Sequence, residues 1–281
     1  MSAVPSKTSQ GVTARFAAAP LNVRAKWLRR ALIALVIVLL ELYGRLFADP
    51  TLFAPPSRIV HSLFADILSD QKIVWALLLC VMEIAVAYLL AIVFGMAIGL
   101  GVGATPFSRR ALYPVIILIY VIPQVSFLPL FVLMFGLGAG AKIAFGFSHA
   151  IFPIIVNVVA GMRNVRELYI NAARSMGASR GQIIRHVMIP HMVPSLFTGL
   201  RLAMTLNLLG VILAELYVSS GGIGFFTRLF AEDFNPAPLF ALIGSLALIA
   251  VLFNELVRVA ENALTPGRKP AASKNNKSES K

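Results

Sequence analysis

Long apolar runs separated by short polar segments dominate the chain. A helix needs roughly 20 predominantly apolar residues to cross a bilayer, and six runs are close to that length. They are residues 28–47, 73–101, 112–135, 143–162, 193–218 and 238–260. The pattern therefore predicts an all-α membrane protein with six transmembrane helices.

The first run has two possible interpretations. Lys26, Arg29 and Arg30 precede ten apolar residues, ALIALVIVLL, a form also typical of a cleaved signal peptide. Because the apolar character continues through Phe47 with no clear cleavage site, we favour an uncleaved first span. The flanking segments 1–26 and 265–281 are polar and basic. We predict them to be disordered cytoplasmic tails around a membrane domain of residues 27–264, with its core at about 73–260.

A shorter amphipathic pattern precedes the second run. In SRIVHSLFADIL, residues 57–68, apolar residues recur at helical spacing and predict a helix on the outer membrane face rather than across it. Within the second run, Gly95, Gly99 and Gly103 form a ridge that predicts close helix packing inside the subunit. Glu83 in the same run is costly in lipid unless it is paired or faces water. A substrate role and a structural partner both remain open for it.

The middle runs carry prolines and polar residues that suggest a translocation pathway. Pro114, Pro123 and Pro129 free backbone carbonyls that neighbouring groups or water must satisfy. A pathway wall and a helix bent only for packing both remain open for this third run. Candidate pathway residues are Gln124, Ser126, His149, Asn157, Thr205 and Asn207.

Glycine clusters predict two tight connections. The first, from Gly136 to Lys142, joins the third and fourth runs. The second, SGGIG at residues 220–224, suits a sharp bend at the outer face. Candidate outer-gate residues in it are Gly221, Gly222 and Gly224.

Composition excludes several classes of protein. With 281 residues, 58% of them hydrophobic and only 13% charged, the chain is too apolar for a soluble domain of this length. The net charge of +13 could indicate a nucleic-acid partner, but the basic residues flank the apolar runs and no nucleic-acid-binding motif is present. Cys80, the one cysteine, and four scattered histidines indicate neither a disulfide framework nor a metal site. We predict no cofactor.

The distribution of basic residues predicts the orientation. Eighteen Lys and Arg residues lie in the two tails and the segments on one side of the predicted membrane, and four lie on the other side. Cytoplasmic segments carry the excess. Both termini and the central segment, residues 163–192, are therefore predicted to be cytoplasmic.

The central segment contains a polar stretch from Glu167 to Pro190, ELYINAARSMGASRGQIIRHVMIP. Leu168, Ala172, Ala173 and Met176 recur at helical spacing and predict one narrow apolar stripe. Gly177 is predicted to end this helix. Ser179 and Gln182 have the spacing of a capping box, which starts a second helix that ends at Pro190. We therefore predict a helix, a sharp turn and another helix outside the membrane.

This stretch resembles the signature loop of ATP-binding-cassette (ABC) importer permeases, E-A-A, three residues, G, nine residues, I-x-L-P. Ala172, Ala173, Gly177 and Pro190 fall on that pattern, Val187 and Ile189 are conservative replacements, and Asn171 replaces the usual Glu. GLRLA from Gly199, AEL from Ala214 and SGGIG are similar to the sulfonate, taurine and nitrate branch. The resemblance implies the type I ABC importer permease (MetI-like) fold.

The resemblance also implies a function and partners. The chain would form the substrate pathway as a homodimer in the cell inner membrane, with two separate ABC ATPase subunits and a periplasmic or lipid-anchored substrate-binding protein. It would not itself be an enzyme, and it has no P-loop sequence. The implied ATPase-coupling residues are Glu167, Asn171, Ala172, Ala173, Gly177, Ala178, Val187, Ile189 and Pro190.

The implied substrate is a small anion such as a sulfonate, taurine or nitrate. A pyrimidine precursor, riboflavin or an aromatic acid remains an alternative. A secondary transporter with no ATPase partner is the other hypothesis; it would leave the structured central loop unexplained, and no convincing repeat relates the two halves of the chain.

Overall fold

The computed structural model describes residues 21–218 and 221–264, which form helices joined by short turns. The helices are α1 (Leu21–Leu46), α2 (Pro56–Ser62), α3 (Gln71–Gly103), α4 (Pro106–Val121), α5 (Leu128–Phe135), α6 (Ala139–Arg163), α7 (Glu167–Ser175), α8 (Arg180–Ile183), α9 (Ile189–Val218), α10 (Ile223–Glu232) and α11 (Pro236–Leu264). Two π-helical turns follow α2 and α8, at Leu63–Ile67 and Ile184–Met188, and a 3₁₀ turn, Gln124–Phe127, precedes α5.

Four of the six predicted spans coincide with helices that are long and apolar enough to cross a membrane. These are Gln71–Gly103, Ala139–Arg163, Arg180–Val218 and Pro236–Ala263. The predicted third span is α4 together with Gln124–Phe135, two pieces that meet at a bend of 79°. The sequence predicted this kink from its prolines.

The predicted first span lies in α1, which is less apolar than the other spans. Its uninterrupted apolar run is only ten residues long, because Arg30 precedes it and Glu41 follows it. In the described residues, four to five helical spans therefore meet the length and hydropathy required for crossing. The crossing predicted for residues 28–47 stays a prediction.

The core of the fold is a trio of long helices, α3, α6 and α9. The glycine ridge of α3 packs directly on α6, because methyl groups at Gly95, Gly99 and Gly103 would lie within 3.0 Å of Ile154, Val158 and Met162 respectively. The two sets of residues have the same four-residue spacing. The predicted packing inside the subunit is confirmed, and it needs small residues because only they allow such close backbone approach.

Helix α6 makes an equally close contact with α9. A methyl group at Gly210 would lie 3.0 Å from the Cα of Gly146, and one at Gly199 would lie 2.7 Å from the Cβ of Asn157. Gly161 of α6 likewise lies against Met192 of α9. Helix α6 is therefore the central helix of the trio, packed on α3 on one side and on α9 on the other.

The predicted amphipathic segment before α3 is also helical, as α2 and its π-helical turn. It packs against α11. Ile67 is fully buried and Ile59 and Leu63 pack on the core, whereas Val60 and Phe64 on the same segment stay exposed. The expected apolar stripe is therefore divided into a core-facing half and an exposed half.

Three boundaries differ from the sequence-based expectation. Helix α1 begins at Leu21, inside the segment predicted to be a tail. Helix α6 begins at Ala139, so Lys142 lies in its first turn and not in a loop. Pro190 does not end a helix, because the chain continues as a helix from Arg180 to Val218. The turn before Pro190 is π-helical. Proline has no N–H to donate, and position 190 lies where the hydrogen-bond pattern changes from π-helical to α-helical.

Parts of two expectations lie outside the described residues. These are residues 1–20 and 265–281 of the predicted tails, and Ser220 of the predicted outer bend.

Candidate functional site

The turn between α7 and α8 is held by backbone hydrogen bonds. Gly177 has φ +81°, a left-handed conformation that glycine adopts without strain. Its N–H donates to Arg174 O at 2.9 Å, and the Ala178 N–H donates to Ala173 O at 3.0 Å. This pair of bonds is the Schellman motif that ends many helices. The prediction that Gly177 ends the first helix of the loop is confirmed.

Helix α8 begins with the predicted capping box. The Ser179 N–H donates to Gln182 Oε1 at 2.8 Å, and the Gln182 N–H donates to Ser179 Oγ at 3.4 Å. Local hydrogen bonds therefore fix the turn from both sides. We call the whole unit, Glu167–Pro190, the elbow.

The elbow carries an apolar stripe that the rest of the described chain leaves uncovered. Leu168 is 61% exposed and Met176 is 83% exposed, and Ala172 between them is exposed as well. Ala173 faces the body of the protein and is buried. The predicted stripe therefore divides, and its outward part indicates a contact with another protein.

The other predicted coupling residues lie around this stripe. Glu167 and Asn171 are exposed on α7, and Pro190 is exposed where α9 begins. Ala178, Val187 and Ile189 are half-buried and pack against the core. The predicted coupling residues are therefore divided between the exposed surface of the elbow and its contact with the core.

Three charged residues meet inside the core. Lys142 Nζ lies 2.9 Å from Glu83 Oε1 and 2.6 Å from Glu215 Oε1, and all three side chains are buried. They come from α6, α3 and α9 respectively, so the cluster joins all three core helices. Lys142 is thus a structural partner for Glu83, one of the two roles that the sequence left open.

The C-terminal end of α9 is hydrogen-bonded to the segment that follows the glycine bend. The Gly224 N–H donates to Glu215 Oε2 at 3.3 Å. A methyl group at Gly224 would lie 2.2 Å from the carbonyl carbon of Glu215, so only glycine fits there. Gly222 is the residue before α10, and Gly224 is buried in its first turn. Gly221 precedes both of them, and a methyl group added to it would meet no atom within 4 Å.

Three of the predicted pathway residues lie between the core helices. Asn207 is fully buried and donates to Ile84 O of α3 at 2.8 Å. His149 is buried against Gly210 of α9, with its Nδ1 3.0 Å from Phe145 O. Asn157, half-buried, donates to Pro153 O at 2.8 Å. His149 and Asn157 share the α9-facing side of α6, as their spacing predicts.

The remaining three are more accessible. Ser148 Oγ, on α6, lies 3.3 Å from Gln124 Oε1 of the 3₁₀ turn, which is partly exposed. Ser126 and Thr205 are exposed, and the Thr205 hydroxyl donates to Arg201 O at 3.2 Å. The structure does not gather the six residues at one place, and their roles stay predictions.

The sequence matches a known family of membrane proteins. The family model described as "Binding-protein-dependent transport system inner membrane component" matches residues 91–266, which include α6, the elbow and the whole of α9.

Individual relatives agree with this match. The chain is 31% identical to the taurine transport system permease protein TauC of Escherichia coli (strain K12), over 78% of this chain and 81% of TauC. It is 30% identical to the formylaminopyrimidine transport permease protein ThiX of Halalkalibacterium halodurans, over 84% of this chain and 93% of ThiX. It is 32% identical to the nitrate import permease protein NrtB of Leptolyngbya laminosa, over 70% and 71%.

The fold is similar to that of a solved transporter. A chain of the MetNI methionine ABC transporter in an inward-facing conformation superposes with a TM-score of 0.58 at 21% identity, over 70% of this chain and 99% of that chain. This likeness confirms the type I ABC importer permease fold. With the family match and the taurine and nitrate relatives, it shows that the chain belongs to the binding-protein-dependent transport system inner membrane components, the permeases of ABC importers.

Proposed function

We propose that this permease couples to a separate ATPase through the elbow, Glu167–Pro190, and forms the translocation pathway for a small anion. The observation that carries the proposal is the exposed apolar stripe of Leu168, Ala172 and Met176 on a turn fixed by its own hydrogen bonds. An apolar surface that the chain itself leaves uncovered favours a protein partner. Its position in the family loop supports the ATPase as that partner.

The helix geometry suggests how movement would reach the membrane. From Arg180 the chain is helical as far as Val218, 39 residues without a break. The inner end of this helix belongs to the elbow, and its outer end carries Glu215 and precedes the glycine bend. A displacement of the elbow by the ATPases would therefore move the outer end of α9 together with Gly222 and Gly224. ATP and the loaded binding protein must stabilise different states for transport to be directional.

The assembly we propose contains two copies of this chain, two ABC ATPase subunits and a periplasmic or lipid-anchored substrate-binding protein. Both termini and the elbow face the cytoplasm, since the Lys and Arg residues concentrate on that side. The chain is a transport subunit and not an enzyme, so ATP hydrolysis belongs to its partner. The domain limits we propose are tails at 1–26 and 265–281 and a membrane domain at 27–264.

For the substrate we propose a small anion, a sulfonate, taurine or nitrate. The taurine and nitrate permeases among the relatives support this class. The formylaminopyrimidine relative keeps a pyrimidine precursor as the alternative. The pathway residues we propose are the accessible Gln124, Ser126 and Thr205, together with His149, Asn157 and Asn207, which lie between the core helices. A secondary transporter would leave the exposed stripe without a role.

The test compares two added carboxylates one residue apart. Ala172→Glu places a charge in the proposed contact, where an unpaired buried charge costs about 3 kcal/mol or more, roughly a hundredfold in affinity. Asn171→Glu places the same charge at the position where the family usually carries Glu. We expect uptake and substrate-stimulated ATP hydrolysis to be lost in the first variant and retained in the second, with both inserted normally. Normal transport by Ala172→Glu would contradict the proposal.

A further inference from the structure

A basic crevice lies between the elbow and the loop that joins α3 to α4. It has a volume of about 350 Å³. Arg109 of α4, Arg174 of α7 and Arg180 of α8 line it, and three separate elements thus each bring an arginine to one place.

None of these three arginines forms an ion pair in the described part of the chain, where the arginines in ion pairs are Arg45, Arg201, Arg228 and Arg258. The remaining lining is largely apolar, including Ile170, Ile184 and Met188. Three positive charges that lie close together repel one another, and an anion bound among them offsets this repulsion. The crevice is therefore complementary to a ligand with an anionic head and an apolar body.

The crevice faces away from the proposed ATPase contact. A helix turns by about 100° per residue, so Ile170 and Arg174 lie roughly opposite Leu168 and Ala172 on α7. The apolar stripe and the crevice are therefore separate surfaces of the elbow.

The crevice also lies at the end of a membrane-embedded segment. Arg109 is in the first turn of α4, within about 5 Å along the axis of the start of that helix. Phe107 beside it is 82% exposed, and Leu112 and Val115 in the next turns are about half exposed. An arginine at the start of an apolar helix is typical of the headgroup level, since long basic side chains near helix ends extend to the interface.

We propose that this crevice binds the phosphate headgroup of an anionic phospholipid such as phosphatidylglycerol. Arginine presents a planar fork of donors that matches phosphate oxygens, and basic pockets between membrane helices at the cytoplasmic side bind anionic headgroups. The assignment to the cytoplasmic leaflet rests on the orientation given under the proposed function. The ligand itself is distinct from the transported substrate.

The test is a binding titration on the full-length chain purified in an uncharged detergent, with fluorescent phosphatidylglycerol as the probe. The triple variant Arg109→Gln, Arg174→Gln, Arg180→Gln removes the crevice charges. The matched control, Arg163→Gln, Arg166→Gln, Arg185→Gln, removes three exposed charges of the same loop region outside the crevice. At about fivefold per arginine we expect roughly a 100-fold loss in the first variant, and affinity close to the unmodified chain in the second.

A charge-preserving variant separates loss of the site from loss of the fold. Replacing the same three crevice arginines by lysine keeps their charges and is expected to retain binding within about tenfold of the unmodified chain. Equal losses in the two glutamine variants would overturn the site, as would equally tight binding of phosphatidylcholine. Displacement of the lipid by an equal concentration of inorganic phosphate or taurine would assign the crevice to a soluble anion instead. The titration needs neither ATPase nor transport, so its failure leaves the coupling proposal untouched.

Discussion

Lys142 Nζ lies 2.6 Å from Glu215 Oε1 inside the apolar core, although the two residues are 73 positions apart in the sequence. Glu83 of α3 approaches the same ammonium group at 2.9 Å. Each charge alone would be costly at this depth. Together they join the start of α6 to the C-terminal end of α9, next to the glycine bend.

Removing the lysine is expected to destabilise the protein strongly. Lys142→Ala leaves two buried carboxylates without their partner, and breaking a buried pair from one side costs about 3–5 kcal/mol. Thermal unfolding of the full-length chain in detergent measures the effect. Arg258→Ala is the matched control, because its pair with Glu255 is exposed and such pairs contribute about 0–1 kcal/mol. Similar stability losses in the two variants would show that the cluster contributes little.

The two carboxylates are expected to differ. Glu215 uses both oxygens, one for Lys142 and one for the Gly224 N–H, whereas Glu83 Oε2 is buried with no hydrogen-bond partner in the described structure. Glu83→Gln leaves one lysine facing one carboxylate and should be the milder change. Glu215→Gln should lower the unfolding temperature more. The reverse order in the same unfolding assay would contradict the geometry.

The glycine ridge gives a second matched pair of variants. A methyl group at Gly99 would lie 2.8 Å from Val158 Cβ, whereas one at Gly101 would meet no atom within 4 Å. Gly99→Ala should therefore destabilise the α3–α6 contact by about 1–3 kcal/mol through overpacking. Gly101→Ala should be neutral or slightly stabilising, since alanine favours a helix by up to about 1 kcal/mol over glycine. Unfolding temperatures that fall equally in both would argue against the packing described.

The left-handed turn of the elbow predicts a backbone effect on coupling. At φ +81° a leucine at position 177 is strained by about 1–2 kcal/mol, and relief of that strain would reorient α7 relative to α8. We expect Gly177→Leu to abolish uptake and substrate-stimulated ATP hydrolysis with normal membrane insertion. Gly177→Asn should retain much of both activities, because asparagine tolerates this conformation. Equal activity of the two variants would show that coupling does not depend on the left-handed conformation at position 177.

Local rules predicted the parts of the structure that depend on neighbouring residues. Gly177 ends α7, Ser179 and Gln182 cap α8, and the spacing of Gly95 and Gly99 identifies a packing ridge. Each of these features depends on residues that are only a few positions apart in the sequence. The prediction that Pro190 ends a helix was wrong. The helix continues through it because the π-helical turn before it accommodates a residue with no N–H.

Long-range contacts could not be predicted in the same way. Lys142 follows a glycine-rich turn and reads as a loop residue, and its burial depends on carboxylates of two distant helices. The sequence is equally consistent with an Asn207 that faces water and with one that is hydrogen-bonded to a neighbouring backbone. Only its contact with Ile84 O distinguishes the two. Polar residues in an apolar run thus identify sites of interest without revealing their partners.

A single cysteine variant tests the coupling contact directly. Cys80, the one cysteine of the chain, is fully buried, so Met176→Cys introduces an accessible thiol at a position that is 83% exposed in the unmodified chain. In membranes that contain the ATPase and the binding protein, a short cross-linker with one thiol-reactive end and one photoactivatable end should join this position to the ATPase, with a yield that changes on addition of ATP. Modification of the new thiol only by an impermeant reagent added from the periplasmic side, or capture of no ATPase at all, would contradict the coupling role of the elbow.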